Sequence, residues 1–305
     1  MRTPAHAAVD ATVGAVKGRG GSLVNAVLRK VAVEEAITFP SLGVELSYPD
    51  WVVDRLVSDL GEADALASLR AMNEAASTSV RDDGYVQDPA SQQVVDIVDA
   101  KAGERIIDLC AAPGGKATGM ATSGAFVVAS DLRKNRSRLI ARNIAKLGSD
   151  VQPVAADGTK PPFMPASVDK VLIDAPCSGL GSLRRRADAR WRVDSGAPKR
   201  LATLQTDLVL AGLELLKPGG VLTYSVCTLA AVEGLGVLQQ VCAQRPELEV
   251  VTSVPESWQL ANGVGLLLPA EADGMMLWQV KVQSSLDPLL SGATPETYEI
   301  INCWT

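Results

Sequence analysis

The spacing of apolar side chains changes character near Val86. Before it the period is helical. Val9, Val13 and Val16 share one face of a segment that runs to residue 34, broken by glycines at 18–21 before the apolar stretch 23–28, which predicts a helical hairpin. Pro40 and Pro49 bracket a short extended linker, and residues 51–73 return to helical periodicity through Val52, Leu56, Leu60, Leu66 and Leu69. Beyond Val86, apolar runs of strand length at 105–109, 125–130, 151–155, 170–173 and 221–225 alternate with helical segments at 91–98, 134–147 and 201–216. Strands alternating with helices predict an α/β fold built on a parallel, doubly wound sheet. Residues 275–282 supply a late strand, and no pattern follows Ser284. The expected organisation is a helical segment at 1–34, a linker and further helical segment at 35–84, one main domain at 85–283 and a tail at 284–305.

Composition narrows the chemistry. The chain has 305 residues, 47% of them hydrophobic, enough for one large core and a small companion. No stretch approaches the roughly 18 consecutive apolar residues of a membrane span, and residues 1–30 carry charges and glycines where a signal peptide would be apolar, so a cytoplasmic protein with no membrane partner is expected. The five cysteines, Cys110, Cys177, Cys227, Cys242 and Cys303, form no Cys-x-x-Cys pair, which predicts free thiols and no structural metal. His6 is the sole histidine, so Ser-His-Asp, Cys-His and multi-histidine metal sites are poorly supported. The net charge of -6 does not favour a nucleic-acid partner. Distribution matters more than total: Arg184, Arg185, Arg186, Arg190, Arg192, Lys199 and Arg200, with Trp191 among them, form a local basic run that reads either as a solvated surface or as a phosphate-binding patch.

Candidate chemistry gathers at the ends of the strands. The turn Asp108-Leu109-Cys110-Ala111-Ala112-Pro113-Gly114-Gly115-Lys116 occupies the first strand-to-helix junction, where backbone N–H groups approach a ligand at the carboxyl edge of a sheet. It is not Gly-x-Gly-x-x-Gly, so a nicotinamide dehydrogenase is disfavoured and another nucleoside-bearing cofactor preferred. Asp131, Asp157 and Asp174 end the second, third and fourth strands. Any one of them reads as a helix cap or turn residue; the series reads as one ligand crevice, with Asp131 placed to accept ribose hydroxyls. Cys177, in Asp174-Ala175-Pro176-Cys177-Ser178, and Cys227, in Ser225-Val226-Cys227-Thr228, follow two consecutive strands. A pyrimidine ring carbon is a poor nucleophile, so an enzyme that alkylates it must first add a soft nucleophile to the neighbouring carbon, which a thiolate supplies. The pair points to cytosine methylation.

These three blocks, Cys110 to Lys116, Asp174 to Ser178 and Ser225 to Thr228, resemble in order the signature blocks of the Sun-type RNA (cytosine-5)-methyltransferases, over residues 85–282. Within that family the chain is most similar to the bacterial branch that acts on small-subunit ribosomal RNA. Residues 4–9 and 23–29 also resemble the last part of that branch's NusB-like amino-terminal helical domain, of which only the final two helices are recognisable before Pro40. A small RNA-positioning insert usual in the family between Asn73 and Tyr85 is missing.

The resemblance implies a class I, Rossmann-like methyltransferase fold using S-adenosylmethionine, with RNA, in particular small-subunit ribosomal RNA, as partner. Carried onto this chain, Cys110, Ala111, Ala112, Pro113, Gly114, Gly115 and Lys116 line the cofactor's methionine part, Asp131 takes the ribose, Asp157 lies near the adenine, and Asp174 borders the methyl-donor pocket and faces the target base. Cys227 is then the nucleophile that adds to cytosine C6, and Cys177 assists breakdown of the adduct. Arg136 also matches the family pattern but reads equally well as an exposed helical arginine and is left outside the expected site. A catalytically silent cofactor- or RNA-binding protein of the same fold would not need both thiols.

Overall fold

The alternation of apolar residues along each strand sends successive side chains to opposite faces of a sheet. In the computed structural model, which describes residues 3–16, 18–33 and 38–283, this alternation divides the core in two. Ile107, Val171, Ile173, Tyr224 and Trp278 pack on one side, and Ile106, Val127, Leu172 and Leu277 on the other. Helices cover both faces.

Contacts divide the chain into two compact units, Met1–Glu45 and Leu46–Thr305. In the first, α1 (Ala5–Ala15) and α2 (Gly21–Ala32) form the expected hairpin, turning through Gly18, whose φ of 91° suits glycine. The segment between Pro40 and Pro49 is not extended as expected: it contains the short helix α3 (Leu42–Leu46).

In the second unit the helical run from Trp51 is split into α4 (Asp50–Leu60) and α5 (Glu62–Ala71), because Gly61 at φ 80° interrupts the helix. Helix α6 (Pro89–Val98) starts where Asp88 caps the Ala90 N–H at 2.9 Å with proline at the first turn. Five parallel strands follow: β1 (Arg105–Asp108), β2 (Phe126–Asp131), β3 (Val151–Ala155), β4 (Val168–Asp174) and β5 (Leu216–Val226). Helix α7 (Gly115–Ala121) links β1 to β2, α8 (Lys134–Leu147) links β2 to β3, and α9 (Ala197–Leu213) precedes β5. Together with α6, α7 and α8 supply the apolar side chains of one face, while α9 and α10 (Leu235–Gln244) supply the other.

The sheet is mixed rather than wholly parallel. Its order is β3-β2-β1-β4-β5-β9-β8-β7, in which β9 (Met275–Lys281) runs antiparallel to β5, and β8 (Val264–Leu267) and β7 (Gln259–Ala261) continue antiparallel. The two-residue β6 (Glu249–Val250) also pairs with β9. Strands β7 and β8 are too short to announce themselves by periodicity; β8 is recruited by pairing with β9, and β7 by pairing with β8. Stacking of Tyr224 on Trp278, ring centres 4.6 Å apart, locks the join between the parallel and antiparallel parts.

The reversal of strand order lies between β1 and β4. Loops leaving their carboxyl ends diverge there, the place where open α/β sheets form a ligand crevice. Because the first five strands are parallel, residues following β1, β2, β4 and β5 gather along one edge.

Candidate functional site

The turn after β1 is held by the strands on either side of it. Leu109 N–H donates to Leu172 O at 3.0 Å and Ala111 N–H to Ser130 O at 2.8 Å. A cis Ala112–Pro113 bond follows, and Gly114 takes φ 103°, which favours glycine. A side chain at Gly114 would meet Ile140 at 3.3 Å, and one at Gly115 would meet the Tyr85 ring at 2.6 Å, so both positions keep bare backbone at the head of α7. Helix α8 reaches back to the same turn: Arg136 donates to Ala112 O at 3.0 Å and Asn143 to Pro113 O at 2.8 Å. Arg81 does so from the other side, donating to Gly115 O and to Thr118 Oγ1.

Of the three carboxylates expected at the strand ends, Asp131 and Asp174 are anchored and Asp157 stands apart. Asp131 is buried, accepts from the Arg133 N–H at 3.2 Å and pairs with Arg136 Nε at 3.3 Å. Arg136, left outside the expected site, thus joins it. Asp174 accepts from Ser225 Oγ at 3.0 Å and from Lys116 Nζ at 2.6 Å. Lys116 is buried and belongs to this ion pair; burial alone would lower its pKa, but the charge and hydrogen bond of Asp174, with Asp108 behind, hold it above the usual lysine value. Asp157 is exposed and accepts from the Thr159 N–H and hydroxyl at 2.9 and 2.8 Å, a turn that keeps its carboxyl below the usual range.

One carboxylate of the site was not singled out from the sequence. Asp108, the last residue of β1, is fully buried; its Oδ1 accepts only a 3.3 Å bond from the Cys110 N–H, and its Oδ2 has no partner. Burial first, and then the Asp174 charge, push its pKa up to about 8. Cys110 beside it is pushed up as well, by burial and then by Asp108. An orphaned buried carboxyl oxygen and a bare-backbone turn, set at one strand edge with the buried Asp131, suit a ligand that brings positive charge and ribose hydroxyls. The residues present fit S-adenosylmethionine. Cys110 to Lys116 line the turn, with Asp108, Asp131 and Asp174 around it.

The two thiols meet. Cys177 Sγ lies 3.4 Å from Cys227 Sγ, and both are free and partly exposed. Cys242 is buried in α10, while Cys303 and the tail from Ser284 lie outside the described residues. The pair is electrostatically asymmetric. The hydrogen bond between the thiols stabilises charge on Cys227, helped by Ser182 and Lys116, so its pKa is lowered despite burial and the Asp174 charge. The same bond, with burial and then the Cys227 and Glu233 charges, drives Cys177 well up.

Glu233 is the second residue that sequence reasoning passed over. It is fully buried and clamps the two cysteine loops together. Its Oε1 accepts from the Ser178 N–H at 2.9 Å and from Gln205 Nε2 at 3.0 Å; its Oε2 accepts from the Ser178 and Thr228 hydroxyls. Ser178 follows Cys177 and Thr228 follows Cys227. Close backbone approach completes the clamp: the Gly181 N–H donates to Cys227 O at 3.0 Å, and a side chain at Gly181 would lie 2.2 Å from Gly274 O. The only prior signal was a lone acid six residues beyond Cys227 in an apolar stretch.

The basic run at 184–200 is divided between cations bonded into the fold and cations left in solvent. Arg184 pairs with Asp273 and the carbonyls of Ala270 and Ala272, and its side chain is 3% exposed. Arg185 bridges Asp88 and Asp273. Arg190 is buried, donates to Ser47 O and Asn73 Oδ1, and lies 4.0 Å over the Tyr48 ring. Arg192 and Arg200 face Asp188 and Asp194. Arg184, Arg185 and Arg190 thus fasten the loop after Cys177 to the fold, while Arg186, Arg192, Lys199 and Arg200 stay exposed.

Among the described residues no helix is long and apolar enough to cross a membrane, and no cluster of three or more metal-ligating side chains occurs. Comparison with known proteins agrees with the crevice. The family described as 16S rRNA methyltransferase RsmB/F matches residues 95–281. Ribosomal RNA small subunit methyltransferase B of Thermus thermophilus is 35% identical over 293 residues, covering 86% of this chain and 71% of that protein. The protein of the same name from Yersinia pseudotuberculosis is 33% identical over 197 residues, 62% of this chain and 44% of its own length, so the chain spans less than half of that relative. The crystal structure of NSun6 from Pyrococcus horikoshii with SFG, an S-adenosylmethionine analogue, superposes with a TM-score of 0.59 at 29% identity, covering 65% of this chain and 52% of that one. With a family match over most of the Rossmann-like unit and a relative aligned along most of the chain, this protein belongs to the 16S rRNA methyltransferase RsmB/F family of S-adenosylmethionine-dependent RNA methyltransferases.

Proposed function

We propose that the chain methylates cytosine C5 in small-subunit ribosomal RNA through a covalent adduct between Cys227 and C6. The observation that carries this reading is the 3.4 Å contact of two thiols with opposite electrostatic bias at the edge of the cofactor crevice. Cys227, the thiol more readily ionised, adds to C6, and the ring electrons displaced by that addition make C5 a nucleophile. S-adenosylmethionine supplies the electrophilic methyl group. Asp174, held by Lys116 and Ser225, borders the ring edge as charge develops there. Loss of the C5 proton to solvent water then restores the C5–C6 double bond and expels the Cys227 sulfur as a thiolate. Cys177, a thiol that holds its proton, stands against that sulfur and assists its departure.

The same reading, with the family resemblance, assigns the remaining roles. Cys110 to Lys116 and Asp131 hold the cofactor, with Asp157 at the outer, adenine end. The hairpin of α1 and α2 is the closing part of a NusB-like helical segment. The test separates the cysteines by the step each serves. Cys177→Ala should accumulate a methylated RNA adduct that survives denaturing electrophoresis, because addition and transfer proceed but release is impaired. Cys227→Ala should give neither adduct nor 5-methylcytosine. Trapping by Cys227→Ala alone would reverse the roles, and full methylation by Cys227→Ala would dismiss covalent catalysis by this residue.

A further inference from the structure

With Arg184, Arg185 and Arg190 of the 184–200 run bonded into the fold and Arg192 and Arg200 paired with Asp188 and Asp194, a second set of solvent-facing cations stands on α8. No acid interrupts the chain between Asp131 and Asp150, a stretch that carries Arg133, Lys134, Arg136, Arg138, Arg142 and Lys146. All six side chains belong to exposed residues, and Arg136 alone has an ion-pair partner among the described residues. Lys134, Arg138, Arg142 and Lys146 recur every fourth residue, so they form one stripe with neighbours about 6 Å apart along the axis. The opposite side of the helix buries Ser137 and Ile140. Like charges four apart destabilise a helix, and cations in the first turn oppose its dipole. Among the described residues no ion pair to Lys134, Arg138, Arg142 or Lys146 offsets the repulsion within the stripe.

We propose that this stripe is a docking face for the phosphate backbone of the RNA substrate. The inference rests on the reading that the chain acts on RNA and adds where that RNA lies. Charge complementarity selects the occupant: an acidic protein of net charge -6 keeps one acid-free row of cations, at a spacing that lets several phosphates of one strand be met at once. The first and third turns of α8 adjoin the cofactor turn, since Arg136 and Asn143 bond the carbonyls of Ala112 and Pro113. RNA lying along the stripe therefore reaches the rim of the crevice, at the β2 end, two strands away from β4, which leads to Cys177.

The experiment compares the parent with a K134Q/R138Q/R142Q/K146Q variant, glutamine being chosen because it keeps helix propensity while removing charge. Binding of in vitro transcribed small-subunit ribosomal RNA is measured across a salt series, with S-adenosylmethionine affinity and circular dichroism as controls on the fold. Loss of about tenfold or more in RNA affinity is expected, together with a salt slope flatter by about 3 units for four lost phosphate contacts, and parent-like cofactor binding. The half-variants K134Q/R138Q and R142Q/K146Q should each show about half the change in slope, which keeps the test decisive if the quadruple variant does not fold. R192Q/R200Q, whose cations already face Asp188 and Asp194, should change it less. Parent-like RNA binding at every salt concentration overturns the proposal. So does a loss confined to anionic phosphatidylglycerol vesicles, which would assign the stripe to a lipid surface. Stripe-dependent RNA binding by a parent protein that transfers no methyl group to the RNA would retire the methylation reading and leave the docking face standing.

Discussion

Glu233 offers the sharpest test of how the thiol pair is held, because its four accepted hydrogen bonds are all buried and three of them come from Ser178 and Thr228, the residues adjacent in sequence to the cysteines. In Glu233→Ala the Ser178 and Thr228 hydroxyls, 2.8 Å apart, still satisfy each other. The Ser178 N–H and the Gln205 amide lose their shared acceptor. At about 1–3 kcal/mol for each buried donor left unpaired, the loss in unfolding free energy should be about 2–6 kcal/mol. In a domain of this size that is a fall in Tm on the order of 10 °C, readable by calorimetry and by urea unfolding. Glu233→Gln keeps one acceptor for the two N–H donors and lets the hydroxyls turn towards the new amide, so it should cost only about 1 kcal/mol. It also removes the negative charge that helps hold the Cys177 proton. Iodoacetamide labelling followed by peptide mass analysis should therefore find Cys227 modified first in the parent and the preference narrowed in Glu233→Gln. A Glu233→Ala protein as stable as the parent would refute the clamp. An unchanged labelling preference in Glu233→Gln would refute the electrostatic part.

Two further outcomes follow from the cofactor crevice. Asp131→Ala should weaken S-adenosylmethionine binding by about 1–3 kcal/mol in calorimetry without RNA, the range for hydrogen bonds to a charged group, and unchanged affinity would reject its assignment to the ribose. Asp108 keeps its proton in the folded protein to about pH 8 but loses it near pH 4 when unfolded, so the stability it lends is complete below pH 4 and is lost as pH rises towards 8; thermal unfolding of Asp108→Asn should show a weaker decline across that interval, and an identical pH profile would mean that Asp108 ionises normally.

Helices and strands were legible wherever burial is one-sided or complete over a long enough run. Helix α8 was delimited by its period at 134–147, and the strands at 105–109, 151–155 and 170–173 differ from the observed ones by no more than two residues at either end. Local signals also marked the cofactor turn and both cysteine loops, because glycine, proline and cysteine are demanded there by backbone geometry and by chemistry. What periodicity could not reveal was anything that depends on a partner distant in sequence. Strands β7 and β8 exist because β9 offers an edge, and the helical run after Trp51 breaks because Gly61 adopts a positive φ. Charge shows the same limit most clearly. Seven cations within residues 184–200 read as one surface patch until Asp88, Asp273, Asn73 and Ser47 are brought to Arg184, Arg185 and Arg190, whereas the cations of α8, less conspicuous in the sequence, stay in solvent because the helix buries its other face. Asp108 and Glu233 were passed over for the same reason: an acid becomes a site residue only when the fold removes its water, and that is a property of the tertiary structure alone.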